Sequence, residues 1–193
     1  TVNASAGTIN SGPVTNGTVG EAGIKAGYNN GGLGTTNPNL TSNVIVNSSA
    51  NINFSNGFGI YAFDLGTGNV AVNVGQNSQI KLTGTATIGM GYGVFAENKG
   101  PGNISVVTSA GDVIDTSATG SAAIHAVNDA SATPSSSSVT VIANGSIFSG
   151  PNTTGAGNPS AGILAGYNTN DQPQNNVAGN VSIDDFANIN FNG

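Results

Sequence analysis

The stretch Gly59-Ile60-Tyr61-Ala62-Phe63-Asp64-Leu65-Gly66-Thr67-Gly68-Asn69-Val70-Ala71-Val72 decides the fold, because the rest of the chain repeats it. Its first phrase is small, β-branched, variable, Ala. The phrase returns as Gly23-Ile24-Lys25-Ala26, Gly93-Val94-Phe95-Ala96, Ala123-Ile124-His125-Ala126 and Gly162-Ile163-Leu164-Ala165. The aliphatic positions 24, 60, 94, 124 and 163 recur about every 35 residues, the mark of a repeat architecture. A second phrase holds the same phase: Val44-Ile45-Val46, Val70-Ala71-Val72, Ile104-Ser105-Val106, Val139-Thr140-Val141 and Val181-Ser182-Ile183. Asn43, Asn69, Asn103 and Asn180 precede four of these five. A third phrase trails it at Ile52-Asn53-Phe54, Ile80-Lys81-Leu82, Val113-Ile114, Ile147-Phe148 and Ile189-Asn190-Phe191. Traces at Val2 and Thr8-Ile9-Asn10 bring the chain in part-way through a repeat.

Every phrase alternates apolar with variable residues over three to five positions, which is strand periodicity. One coil of three short strands cannot bury its apolar face alone. Stacked coils can, and each backbone then pairs with the coil above and below. The spacing therefore predicts an all-β, right-handed parallel β-helix with three sheets. Five to six coils at ~4.8 Å give a rod roughly 25–30 Å long. Helix is excluded by the absence of any sustained 3.6-residue period and by the wealth of Gly, Asn and β-branched residues. Residues 1–193 read as a single β-helical repeat domain, a segment of a longer chain.

Alternation turns Ile24, Ile60, Val94, Ile124 and Ile163 inward together with the Ala two residues later. Lys25, Tyr61, Phe95, His125 and Leu164 then face out. Tyr61, Phe95, His125 and Leu164 form a candidate exposed stripe for sugar rings or a partner chain. Asn29, Asp64, Asn98, Asn128 and Asn168 close the same strands and form a candidate corner ladder, since Asx side chains suit sharp turns and stack from coil to coil. Asn29 and Asn168 stand one position farther from the aliphatic residue than the other three, so full alignment needs a one-residue bulge. The connection after this strand is long at 27–43, 127–138 and 166–180 and short at 63–69 and 97–103. Insertions gathered on one side of a solenoid are where binding collects.

Composition narrows the chemistry. Only 6% of residues are charged, the net charge is −6, and the three cations are Lys25, Lys81 and Lys99. Such a chain lacks the basic footprint for nucleic acid or anionic membrane. There is no Cys, hence no disulfide, thiol catalysis or cysteine-ligated zinc, and a single His leaves no His-rich metal cluster. No catalytic, metal or cofactor site is expected. No apolar run is long enough for a membrane-spanning helix, and Thr1-Val2-Asn3-Ala4-Ser5 is not a signal peptide. Gly31-Gly32-Leu33-Gly34-Thr35 lacks the Asp of a calcium-binding nonapeptide, and the many Asn-x-Ser/Thr triplets follow from 29 Asn residues. The nine carboxylates include Asp64 and Glu97, which the repeat places on adjacent coils. They are the pair a carbohydrate-active β-helix enzyme would use across a groove.

The phrase Gly-Ile/Val-Tyr/Phe-Ala followed by Gly-x-Gly-Asn-Val/Ile-x-Val, at Gly59 to Val72 and Gly93 to Val106, resembles the passenger repeats of bacterial autotransporter adhesins. The resemblance covers nearly the whole chain. It implies a β-helical scaffold, secretion across two membranes and display on a cell surface, in contact with host or neighbouring cells. The function expected is that of a cell-surface or secreted adhesin or fibre segment. Its partners would be glycans or surface proteins, or further copies in a self-assembling extracellular filament.

Overall fold

The computed structural model describes residues 1–12, 21–28, 37, 39–86, 91–118, 122–129, 137–150, 160–167 and 179–191. All its regular elements are strands. The first coil holds β1 (Val2–Ala4), β2 (Thr8–Ser11) and β3 (Ala22–Tyr28). The second holds β4 (Val44–Ser48), β5 (Asn51–Phe54) and β6 (Phe58–Asp64). The third holds β7 (Val70–Val74), β8 (Gln79–Leu82) and β9 (Tyr92–Asn98). The fourth holds β10 (Ile104–Val107), β11 (Val113–Thr116) and β12 (Ile124–Asn128). The fifth holds β13 (Ser138–Ala143), β14 (Ser146–Ser149) and β15 (Ile163–Tyr167). A sixth adds β16 (Asn180–Asp185) and β17 (Asn188–Phe191).

Every third strand shares a sheet. The first sheet runs β1-β4-β7-β10-β13-β16, the second β2-β5-β8-β11-β14-β17, and the third β3-β6-β9-β12-β15. All pairings are parallel. This is the three-sheet parallel β-helix that the repeat predicts.

Register follows the phrases residue by residue. Val46, Val72, Val106 and Val141 stack in the first sheet. Ile52, Ile80, Ile114 and Ile147 stack in the second. Ile60, Val94 and Ile124 stack in the third beside Ala62, Ala96 and Ala126. All belong to one buried core. A one-residue slip in any strand would turn its apolar set outward, so burial fixes the register. Each fully buried aliphatic contributes about 1.5–3 kcal/mol relative to exposure.

Outside, amides take over the stacking. Asn73 Nδ2 donates to Asn47 Oδ1 and Asn47 Nδ2 to Asn3 Oδ1, each at 2.8 Å. Asn53 Nδ2 does the same to Asn10 Oδ1 at 3.0 Å on the second sheet. At the entry to the first sheet, Asn43 Oδ1 accepts the backbone N–H of Asn69, Asn69 Oδ1 that of Asn103, and Asn103 Oδ1 that of Ser138, at 2.8–2.9 Å. An uncharged side chain with one donor end and one acceptor end serves such a chain where like charges would repel.

Alternation fails at one point per coil. A Cβ on Gly59 would lie 2.4 Å from Ile80 Cγ2, and one on Gly93 2.4 Å from Ile114 Cγ2. Both glycines therefore face the core, as do the Ile60 and Val94 that follow them. Two successive inward positions turn the preceding residue outward. Phe58 and Tyr92 accordingly leave the core and pack with Tyr61 and Phe95 in a second apolar cluster on the outer face of the third sheet.

Candidate functional site

The outer face of the third sheet brings together the expected stripe. Lys25 pairs in register with Tyr61, Tyr61 with Phe95, Phe95 with His125, and His125 with Leu164. Its exposure is not as expected. His125 is buried, at 3% exposure, and Tyr61, Phe95 and Leu164 are half-buried. The rings stack along the rod. Tyr61 and Phe95 lie 5.1 Å apart at 11°, Phe95 and His125 5.0 Å apart at 29°. Beside them Phe58 and Tyr92 stack at 5.8 Å and 5°, and Tyr92 meets His125 at 4.9 Å.

Coil spacing explains this arrangement. Strands about 4.8 Å apart hold neighbouring rings at stacking distance, so each ring spends its faces on the coils above and below. Lys25 Nζ closes the lower end, 5.6 Å from the Tyr61 centroid and 5.7 Å from that of Phe63. Leu164 takes the register position beyond His125 at the other end. A sugar ring stacks on an aromatic face, and this column turns its edges outward. The stripe is a second, external spine of the rod and not an open platform.

Its phenol is likewise engaged. Tyr61 Oη donates to Glu97 Oε2 at 2.7 Å, and Glu97 pairs with Lys99 at 3.3 Å. Burial, then the Glu97 charge and its hydrogen bond, hold the Tyr61 phenol well above its ordinary value. Burial alone pushes His125 down to about 4. Its Nδ1 has no hydrogen-bond partner, so the neutral ring packs here as an aromatic.

The corner column is also real, with different members and bonds. Asp64, Asn98 and Asn128 align, all three buried and facing inward. The register partners at its ends are Tyr28 and Tyr167. Asn29 and Asn168 lie outside the described residues. The amides do not bond each other. Asn98 Oδ1 accepts the Gly100 N–H at 2.8 Å, while Nδ2 donates to Gly68 O of the coil beneath at 2.8 Å. Asn128 Nδ2 donates to Gly102 O at 2.9 Å. The turns pack closely enough to require glycine: a Cβ on Gly102 would lie 1.8 Å from Gly68 O.

Asp64 and Glu97 do not form a pair across a groove. Asp64 points into the core corner, whereas Glu97, in register with Phe63, points out. Other carboxylates hold turns. Asp112 accepts the N–H groups of Ser78 and Ser109, and Asp115 the N–H and hydroxyl of Ser117 while approaching Lys81 at 3.8 Å. Burial raises Asp112 against those hydrogen bonds. Among the described residues no group of three or more His, Cys, Asp or Glu side chains is placed to hold a metal ion. Gly31 to Thr35 lie outside the described residues.

Sequence reasoning missed Phe58 and Tyr92, which complete the outer spine, and the bonding role of Asn43, Asn69 and Asn103. The recurrence of Asn before the second phrase was the available signal for the latter. No protein-family model matches the chain, and no similar curated protein or solved structure is found.

Proposed function

We propose that this chain is a rod segment of a cell-surface or secreted adhesin or fibre, acting by presentation and contact rather than catalysis. The observation that carries the reading is the parallel, in-register stacking of all three sheets around one continuous core. Such a body holds the strand ends that flank its insertions at the fixed spacing of its coils. With the aromatic faces used internally, contact with glycans or surface proteins falls to the insertions after third-sheet strands and to the neutral Asn, Ser and Thr surface. Affinity is then summed over many shallow contacts along the array.

Beads coated with the chain test this on cells and glycan arrays. The expected result is multivalent binding that falls when residues 29–43 are replaced by the short second-coil turn Leu65–Asn69, with the fold retained by circular dichroism. Absence of binding to every surface, or binding indifferent to the insertions, would overturn it.

The coil-on-coil pairing supports a second reading, a self-assembling filament, because a coil of one copy can pair with a coil of the next through the same parallel backbone bonds that join β13 to β16. Light scattering against concentration separates the two: growth into long particles supports the filament, and a constant monomer mass opposes it.

A further inference from the structure

Asn98 uses both ends of its amide, one on its own turn and one on the coil beneath, and Asn128 Nδ2 likewise reaches the coil beneath. Asp64 repeats only half of this. Its Oδ1 accepts the Gly66 N–H at 2.8 Å, as Asn98 Oδ1 accepts that of Gly100. Its Oδ2 stands where the others carry NH2. That oxygen is buried and has no hydrogen-bond partner.

The neighbour at that place follows from the stacking. A Cβ on Gly102 would lie 1.8 Å from Gly68 O, and one on Gly68 2.2 Å from Ser42 O. Gly68 therefore rides on Ser42 as Gly102 rides on Gly68. Asn98 donates to Gly68 O, so the matching acceptor for Asp64 is the Ser42 carbonyl. An ionised Asp64 sets one acceptor against another in a dry corner, which costs the full desolvation of an unpaired group. A proton on Oδ2 turns the clash into a bond.

We infer that Asp64 holds its proton well above the pH at which an ordinary aspartate loses it, and donates it to Ser42 O as the protein's one acid in the place of a ladder amide. The clasp fastens the base of the longest insertion to the second coil. Its neighbours there already dock on the same turn: Thr67 N–H donates to Leu40 O at 2.7 Å and Asn69 N–H to Asn43 Oδ1 at 2.9 Å. Acid closes the clasp and alkali opens it.

The surroundings agree. Burial, the largest effect, pushes the carboxyl up from 3.8 and outweighs the backbone N–H bonds of Gly66 and Gly68, which favour the ionised form. Among the described residues no charge on the packed elements compensates. On β9 above and just beyond it, Glu97 and Lys99 pair with each other on the outer face. On β3 below, Lys25 sits over Tyr61 and Phe63, and the register partner is Tyr28.

Carbon-13 carboxyl NMR of the intact chain reads the titration of Asp64 directly, and thermal unfolding of Asp64→Asn reads its consequence. The expected midpoint lies above 3.8. Asp64→Asn should melt higher than the wild type at neutral pH, with the gap closing in acid, and should slow amide exchange at Thr67 and Asn69 at neutral pH. A midpoint at or below 3.8, or a lower melting temperature for Asp64→Asn at neutral pH, would overturn the inference. The wild-type titration stands even if the variant does not fold.

Discussion

Ile114 and Ile189 occupy one column of the second sheet, two coils apart, and differ in how many coils cover them. Ile114 lies between Ile80 and Ile147 at 1% exposure, whereas Ile189 has only Ile147 beneath it and is 41% exposed. Substitution by Ala removes three carbons from either. At ~0.8 kcal/mol per buried carbon, Ile114→Ala loses about 2.4 kcal/mol of transfer free energy. The closed site leaves a cavity, which brings the total to about 3–4 kcal/mol. Ile189 already has solvent on one side, so no closed cavity forms and the loss is about 1 kcal/mol. For a domain of this size that corresponds to a fall in melting temperature of roughly 6–16 °C for Ile114→Ala and roughly 2–4 °C for Ile189→Ala. Paired thermal or denaturant unfolding measures both. Equal losses would refute the reasoning, because they would mean that the sixth coil is covered as fully as the fourth, or that the two residues do not share a column.

Two further outcomes follow from the same geometry. Gly102→Ala drives a Cβ onto Gly68 O, backbone against backbone, and should cost several times more stability than Gly166→Ala, whose added Cβ meets nothing within 4 Å; chemical denaturation of the two variants checks this. His125 has a folded value near 4 against 6.5 when free, so its neutral form supports the fold above pH 6.5. That support drains as pH falls from 6.5 toward 4, by on the order of 3 kcal/mol. His125→Phe should keep the stack and remove this loss, which unfolding curves between pH 7 and 4 would show as a widening gap between variant and wild type. Asp64 and Asp112, raised by burial, act in the opposite direction in both proteins and cancel in the comparison.

The phase of the repeat made the architecture legible. Val44, Val70, Ile104, Val139 and Val181 align in the structure as they align in the text, because burial on one face leaves each strand a single register. The bend before Ile60 and Val94 was not legible. Glycine has no side chain to declare its face, and the outward turn of Phe58 and Tyr92 that follows from the bend carries no mark in the alternation. The corner column was half legible. Chemistry pointed to Asx residues, but backbone register placed Tyr28 and Tyr167 at the ends of the column. The stripe shows a different limit. Alternation placed its members on one face, while the coil spacing, which turns ring faces toward each other, decided that it is a spine.

The central claim is parallel, in-register stacking of one coil on the next. Methyl–methyl NOEs among the second-sheet isoleucines test it most directly. Contacts should link Ile52 to Ile80, Ile80 to Ile114, and Ile114 to Ile147, with none between Ile52 and Ile114. A direct Ile52–Ile114 contact, or pairing of Ile80 with residues outside this column, would contradict the β-helix described here.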